Sequence, residues 1–257
     1  MNKKTIGILG CGWLGLPLAQ SLIAQGHAVK GTTTTASKIP DLQAAGIQAY
    51  ELVLTEDGVS ESITAFLDGL DVLIIDIPPG VRSNPDADFP KKLSQVLNLV
   101  KALSLEQLIF ISSTSVFEDT TDFPHYNETH PGNATSNNGK QLLAAELLVR
   151  ESYHTATIIR PGGLIGDDRN PINMLAGKKG LKNPDAPVNL VHRDYLIALI
   201  INVLHGELLA PVIHAISEPH RSRKDYYSEQ ARLHGLEVPE FDDDGVQVGK
   251  VIVSAVV

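Results

Sequence analysis

Cysteine is almost absent from this sequence, and its scarcity limits the chemistry open to the chain. Cys11 is the one cysteine among 257 residues, so no intramolecular disulfide can form. A metal site built on cysteines is disfavoured for the same reason, and the histidines lack the i, i+4 spacing of a metalloprotease helix. We therefore predict no bound metal and a reducing compartment.

Long apolar runs and an excess of positive charge are also missing. No stretch approaches the roughly 18 apolar residues of a membrane span, and the apolar run from Ile6 is broken by glycine too early for a signal peptide. The formal net charge of -9 disfavours nucleic acid as a partner, because phosphate backbones attract clustered Lys and Arg. We expect a cytoplasmic protein that acts on a small molecule, with neither a membrane nor a nucleic acid as partner.

The first 160 residues alternate short apolar runs with segments of helical periodicity. The runs predict strands at residues 6–9, 28–31, 47–52, 72–75, 108–111 and 157–159. Because strands that alternate with helices form parallel βαβ units, the predicted fold is α/β, a Rossmann-type doubly wound parallel sheet. We expect residues 1–161 to form an NAD(P)-binding domain. Residues 162–257 would form mostly a small mixed substrate-binding lobe, interleaved with the core.

Two of the predicted helices are long enough to show which face is buried. Residues 88–103 place a run of leucines and valines on one face. Residues 140–151 do the same with Leu143 and Leu147. We therefore expect Leu143 and Leu147 to face the core.

The segment Gly10-Cys11-Gly12-Trp13-Leu14-Gly15 has the spacing G-x-G-x-x-G between a predicted strand and a predicted helix. Gly10 allows a tight turn, Gly12 lets the backbone approach a pyrophosphate, and Gly15 lets the helix pack closely on the strand. The free amides at the helix N-terminus attract phosphate groups. We expect this turn, including Trp13 and Leu14, to bind a dinucleotide; the alternative is a structural glycine turn without a ligand.

The end of the second predicted strand bears on the choice between NAD and NADP. An NAD site carries an acidic residue there, which binds the ribose 2′-hydroxyl. Residues 31–38 contain no acid, whereas the hydroxyls of Thr33 and Thr34 together with Lys38 suit a 2′-phosphate. This pattern favours NADP over NAD, unless these polar residues only cap the helix that follows. We also predict cofactor contacts by Ile77 and Pro78, directly after the fourth strand.

Several shorter segments follow the glycine turn in a characteristic order. They are an S-S-x-x-V-Y-like segment at 112–117, E-x-x-P at 128–131, Arg160-Pro161, and a V-H-x-D-like segment at 191–194. The ordered set resembles the extended short-chain dehydrogenase/reductase superfamily and, within it, the NAD-dependent epimerase/dehydratase family. Residues 12–15, 112–116 and 189–192 are most similar to a bacterial subgroup of atypical members.

The resemblance implies roles for individual residues. Ser113 occupies the position of the family's catalytic Ser or Thr, which hydrogen-bonds the reacting oxygen. Lys140 corresponds to the lysine of the family's Y-x-x-x-K motif, which binds the nicotinamide ribose. Arg160, Pro161 and Gly162 would line the nicotinamide end of the cofactor site.

The same comparison shows a departure from the family's catalytic pattern. Ser136 stands where the motif has tyrosine, and a serine hydroxyl titrates far above the pKa of ~10 that makes tyrosine tunable. Tyr126 is an alternative source of a phenol, or simply a loop aromatic. Two hypotheses follow: an NAD(P)-dependent epimerase or reductase with a non-standard acid/base, in which Ser113, Ser136 and Lys140 are the catalytic candidates, or a catalytically silent NAD(P)-binding sensor.

Two further implications of resemblance concern assembly and an alternative family. Many relatives dimerise through the helices that correspond to residues 88–103 and 140–151, so monomer and homodimer both fit. The β-hydroxyacid dehydrogenases share the glycine turn. They add a large all-helical C-terminal domain, which the mixed second half of this sequence does not predict.

Overall fold

The computed structural model describes residues 3–81 and 84–256. Its strands follow the apolar runs of the sequence, and most are parallel to their neighbours along the sheet. They are β1 (Thr5–Leu9), β2 (Ala28–Thr33), β3 (Gln48–Glu51), β4 (Val72–Ile75), β5 (Gln107–Ile111), β6 (His125–Tyr126), β7 (Thr157–Pro161), β8 (Gly163–Ile165), β9 (Leu190–His192), β10 (Val212–Ala215) and β11 (Val251–Ile252).

Within the described residues the large sheet has seven strands in the order β10-β7-β5-β4-β1-β2-β3, and the pairs are parallel. The strand order reverses between β1 and β4. In an open α/β sheet, ligands bind outside the carboxyl ends of the strands at such a reversal. The predicted Rossmann-type fold is therefore confirmed, and the sheet places the candidate site beyond Leu9 and Ile75.

Helices cover both faces of the sheet. They are α1 (Gly15–Ala24), α2 (Ile39–Ala44), α3 (Ile63–Leu67), α4 (Phe89–Val100), α5 (Asn137–Ser152), α6 (Ile172–Leu175), α7 (Arg193–Leu204) and α8 (Arg223–Leu233). Phe66, Leu97 and Val149 belong to the core on the face of α3, α4 and α5. Leu18 and Ile200 belong to the core on the opposite face, under α1 and α7. Burial on both faces explains why the strands read as unbroken apolar runs.

The buried face of α5 differs from the prediction. The buried residues of the helix are Gly139, Leu142, Ala145, Glu146 and Val149. Leu143 is partly buried and packs against the core, as predicted. Leu147 is 58% exposed, so its assignment to the buried face is wrong. The physical reason is Glu146, which faces the interior because it forms a buried ion pair with Arg160 on β7. The spacing of apolar residues alone therefore does not identify a buried helix face that includes a glutamate.

The second half of the chain contributes to the core sheet and to a smaller lobe. Both α7 and β10 pack in the main layers, whereas β8 pairs with β9 and α6 packs on α8. The lobe has its own small core, which consists of Ile172, Val188, Tyr227 and Ala231. The lobe lies beside the carboxyl end of β7, because β8 follows β7 directly.

Neither a membrane-spanning helix nor a metal-binding cluster is present in the described residues. No helix in residues 3–81 and 84–256 has the length and apolar character of a bilayer span. The same part of the chain contains no cluster of three or more His, Cys, Asp and Glu side chains arranged to hold a metal ion.

Candidate cofactor cleft

A continuous cleft runs along the carboxyl ends of the strands at the reversal point. It consists of two cavities that share Gly12, Asp76 and the segment after β4. The β2 cavity, at the ends of β1, β2 and β4, has a volume of about 540 Å³. The β5 cavity, at the ends of β1, β4, β5 and β7, has a volume of about 580 Å³. An elongated ligand with two ends fits this arrangement.

The glycine turn lies between the two cavities and requires its glycines. Gly10 has φ +112°, and a Cβ there would meet the Asp76 carbonyl. A Cβ on Gly15 would meet the Gly10 carbonyl, so α1 packs directly against the turn. Gly12 is exposed, with nothing within 4 Å of a Cβ, and it lines both cavities. The N-cap residue Leu14 provides no capping side chain to α1, and Asp76 accepts a hydrogen bond from the Gly15 amide. The N-terminus of a helix attracts phosphate oxygens, and that of α1 lies at this turn.

The β2 cavity contains the residues that were predicted to choose between NAD and NADP. Thr33, Thr34 and Lys38 line it, as do Ile77 and Pro78. The lining also includes the apolar side chains Leu52, Leu54 and Phe89. This combination offers an apolar slot beside polar and cationic groups.

Lys92 of α4 also lines the β2 cavity, and sequence reasoning missed it. Neither Lys38 nor Lys92 forms an ion pair with a described residue. Lys92 is far from the β2 motif in sequence, and only the packing of α4 on the sheet brings it to the cleft. The helix that follows a parallel strand begins near the carboxyl edge of the sheet. The position of Lys92 near the start of this helix was therefore the signal that could have identified it.

Asp76, the first residue after β4, lines both cavities and was also missed. Burial raises the pKa of its carboxyl from 3.8 to about 7, and a hydrogen bond from the Gly15 amide lowers the pKa in part. Burial also raises the pKa of the neighbouring Cys11 thiol to about 12, so the thiol stays protonated and is a poor nucleophile. Asp76 is therefore a titratable acid in the region where a pyrophosphate would bind.

The β5 cavity contains most of the residues predicted for the nicotinamide end. Trp13, Leu14, Ser113, Pro161 and Gly162 line it. Ser113 follows β5, and its Oγ accepts a hydrogen bond from the Ser115 amide at 3.1 Å. This bond holds the Ser113 side chain at the mouth of the cleft, where its hydroxyl hydrogen remains free to donate to a ligand.

Ser136 and Lys140 do not reach the cleft. The hydroxyl of Ser136 caps α5 by accepting a hydrogen bond from the Gly139 amide at 3.2 Å. Lys140 is exposed, and its charge interacts with the Glu118 carboxyl. Neither residue is part of the lining of the β5 cavity. The predicted catalytic roles of Ser136 and Lys140 therefore have no geometric support.

Asn138 and Leu142 of α5 line the β5 cavity instead. They are four residues apart, which is the spacing of the Y-x-x-x-K motif, and they lie on the buried face of the helix. The Asn138 amide donates to Ser115 Oγ at 3.1 Å. The next residue is Gly139, and glycine is required there because a Cβ would collide with the Ser115 carbonyl. The positions that face Ser113 are thus occupied by an amide and an alkyl group, neither of which can act as a base.

Arg160 does not line the cleft, although it was predicted to do so. Its side chain is buried behind β7, where it forms an ion pair with Glu146 of α5 at 2.6 Å. Ser112 Oγ donates to the same carboxylate at 2.6 Å, and Arg160 stacks on the Phe117 ring at 5.1 Å. This buried network connects β5, β7 and α5, and so it holds the turn that carries Ser113.

Trp13 connects the glycine turn to the lobe. The guanidinium groups of Arg169 and Arg193 lie 5.0 Å and 4.5 Å from the centre of its ring. Its Nε1 donates to Asp168 Oδ2 at 2.9 Å. Arg169 also lines the β5 cavity and was missed by sequence reasoning. Side chains from the lobe therefore pack against the glycine turn, a contact that only the tertiary structure could show.

Tyr126, the alternative phenol, is held away from the cleft. Its ring stacks on Phe117 at 4.5 Å, and its hydroxyl accepts a hydrogen bond from Asn133 at 3.0 Å. Tyr126 is buried and is not part of the lining of either cavity. Its contacts are those of a packing residue.

The geometry defines a nicotinamide-dinucleotide-binding protein, and comparison with known proteins agrees. Residues 10–205 match the NAD(P)H-binding family, so the chain belongs to that family and binds NAD(P). The chain is 34% identical to protein YeeZ of Escherichia coli strain K12 over 244 residues. The match covers 93% of this chain and 86% of that protein.

Solved structures share the fold at lower sequence identity. A proposed NAD-dependent epimerase/dehydratase of Methylobacillus flagellatus has a TM-score of 0.78 at 24% identity, covering 98% of this chain and 89% of its own. The UDP-glucuronic acid 4-epimerase of Bacillus cereus, solved with NAD, has a TM-score of 0.78 at 18% identity, covering 98% and 88%. At these identities the likeness concerns the fold alone. The fold shared with these structures is the Rossmann-type fold that the sequence predicted.

Proposed function

We propose that this chain binds NADP and acts as a nicotinamide-dependent reductase or epimerase of a small substrate. The observation that carries the proposal is the cleft itself. A glycine turn lies at its centre and Ser113 lies at one end. Lys38 and Lys92, which form no ion pair with a described residue, lie at the other end. The lysines suit a 2′-phosphate, and the hydroxyl suits the oxygen of a reacting carbon.

NADPH should bind more tightly than NADH, and the difference should depend on the two lysines. We expect Lys38→Ala and Lys92→Ala each to weaken NADPH binding by about fivefold to tenfold, since each removes a charged partner of the phosphate. NADH binding should not change. Trp13 is the single tryptophan and lines the cleft, so energy transfer from its fluorescence to the reduced nicotinamide measures both affinities.

Lys91→Ala is the matched control for the lysine experiment. Lys91 precedes Lys92 on α4, but it is paired with Asp57 at 3.6 Å and does not line the β2 cavity. An equal preference for NADH and NADPH, or an equal effect of Lys91→Ala, would show that the β2 cavity does not recognise a 2′-phosphate.

Ser113 is the residue that we assign to the substrate in the reaction. The bound cofactor would supply or accept a hydride at the substrate carbon. The Ser113 hydroxyl would donate a hydrogen bond to the oxygen on that carbon and so stabilise its developing charge. Among the described residues that line the β5 cavity there is no tyrosine, lysine or histidine, so the proton would exchange with water in the open cleft.

A silent sensor is the second candidate function, and Asn138 and Leu142 favour it. They line the β5 cavity with the four-residue spacing of the family's motif, and neither is a tyrosine or a lysine. A protein that only reports the level of a dinucleotide needs the glycine turn but no proton donor beside the nicotinamide.

Turnover distinguishes the two functions. We expect NADPH oxidation with a short oxo acid, and Ser113→Ala should lower kcat by about tenfold because one neutral hydrogen bond is lost. The affinity for NADPH should stay within about twofold, since Ser113 holds the substrate oxygen. Ser94→Ala is the control, because the Ser94 hydroxyl bonds the Lys91 carbonyl away from the cleft. Tight NADPH binding without turnover of any oxo acid or hydroxy acid would favour the sensor.

A further inference from the structure

A third cavity adjoins the β5 cavity on the side of the lobe, and we call it the lobe pocket. It has a volume of about 330 Å³ and shares Ser113 with the β5 cavity. One wall is the hydroxyl-bearing turn of residues 113–115. The opposite wall combines residues 187–190 with the side chains of Arg223, Tyr227 and Lys250. A substrate whose oxygen lies at Ser113 would therefore extend into this pocket.

The lobe pocket is positively charged. Arg223 and Lys250 line it, whereas Asp and Glu are missing from the described residues of its lining. The whole chain has a formal charge of -9, so this local excess of positive charge is opposite to the average. A cation at a partly enclosed site attracts anions, because the enclosure screens its charge less than bulk water does.

Two hydrogen-bond donors of the lobe pocket are unused. Tyr227 is only 8% exposed, and its hydroxyl forms no hydrogen bond with a described residue. The Arg223 guanidinium forms no ion pair with a described residue, and its charge partly offsets the effect of burial, which raises the Tyr227 pKa. Lys250 differs, since it donates to the Phe117 carbonyl and lies 3.5 Å from Asp119. Both side chains line the pocket without a partner among the described residues, so their N–H and O–H groups are available to an anion that binds there.

We propose that the lobe pocket binds the carboxylate or phosphate group of the substrate, with Arg223 as the charged donor and Tyr227 as the neutral donor. A guanidinium presents parallel N–H groups that match the geometry of both anions. The volume of about 330 Å³ is at the lower end of the ~300–1,000 Å³ of small-molecule sites, which favours a short acid over a nucleotide-linked compound. The assignment of this anion to the substrate rests on the proposed function.

Isothermal titration calorimetry of the intact chain tests the lobe pocket directly. The probes are malonate, inorganic phosphate and neutral malonamide, each with and without saturating NADPH. We expect an anion to bind and malonamide not to bind, and the tighter of malonate and phosphate identifies the group. Arg223→Gln should weaken anion binding by about tenfold or more, and Tyr227→Phe by about threefold, while NADPH affinity stays unchanged.

Lys224→Gln is the matched control, because it makes the same change in charge one residue along α8. Lys224 is exposed and paired with Asp243 at 2.9 Å, outside the lobe pocket. The proposal is overturned if neither anion binds, if malonamide binds as tightly as malonate, or if Lys224→Gln has the effect of Arg223→Gln. If the chain does not bind NADPH but still binds an anion through Arg223, the proposed cofactor function is refuted and the proposed anion site is supported.

Discussion

Replacement of Gly12 by valine should weaken NADPH binding by roughly a hundredfold or more and leave the melting temperature unchanged. Gly12 is the position at which the backbone approaches the pyrophosphate. A Cβ there meets no protein atom within 4 Å, and the residue lies outside the left-handed region. The valine side chain would therefore occupy space in the cleft without strain in the fold. The Trp13 fluorescence titration and a thermal melt measure the two quantities.

Gly58→Val is the control for the glycine experiment. Gly58 also has open space around a Cβ and no left-handed φ, but it lies outside both cavities. Gly10 and Gly15 are unsuitable for this purpose, because a Cβ at either position collides with backbone carbonyls of the turn itself. Unchanged NADPH affinity in Gly12→Val would mean that the turn is structural and that the dinucleotide binds elsewhere.

Asp76→Asn should stabilise the chain at pH 8 and not at pH 4. The pKa of Asp76 is about 7 in the folded state and 3.8 as a model value, so the folded state holds the proton more tightly. The contribution of protonated Asp76 to the free energy of unfolding is therefore fully present below pH ~4, and it is lost as the pH rises from ~4 to ~7. The full difference corresponds to at most ~4 kcal/mol. We expect about 1–3 kcal/mol, since the carboxyl is partly open to water in the cleft.

The same substitution should strengthen cofactor binding at alkaline pH. An ionised Asp76 shares the cleft with a pyrophosphate, and two such charges repel by ~2 kcal/mol at the effective dielectric constant of a partly buried site. At pH 8.5, Asp76→Asn should bind NADPH about thirtyfold more tightly than the parent chain, and at pH 5.5 the two should differ by less than about threefold. Among the described residues, the other charged groups that line the cleft are Lys38, Lys92 and Arg169.

Asp57→Asn is the control for Asp76, because Asp57 is exposed and lies on the surface beside Lys91. The stability comparison uses urea unfolding at each pH, and the affinity comparison uses Trp13 fluorescence. A stability difference that is the same at pH 4 and pH 8 would contradict the raised pKa of Asp76. Equal affinities for NADPH at pH 8.5 would show that Asp76 does not face the phosphates.

The predicted phase of α5 shows where sequence reasoning failed and why. Leu143 and Leu147 suggested an apolar face, and the resemblance to the family placed the lysine of the Y-x-x-x-K motif at Lys140. In the structure the buried face includes Glu146, whose charge is neutralised by Arg160. Asn138 and Leu142 belong to that face, and Lys140 is two residues from either, which places it on the opposite side of a helix with 3.6 residues per turn. Because the buried face contains the charged Glu146, the pattern of apolar residues did not indicate which face of α5 is buried.

The sequence by itself determined the fold class and the phosphate-binding turn, because both depend on local patterns. Apolar runs produce buried parallel strands, and the glycines between β1 and α1 are required by contacts within one turn. The tertiary structure alone decided which side chains meet in the cleft. Lys92, Asp76, Asn138, Arg169 and Arg223 come from separate elements, and no local pattern specifies their meeting. Their positions depend on long-range packing of helices and lobe against the carboxyl edge of the sheet.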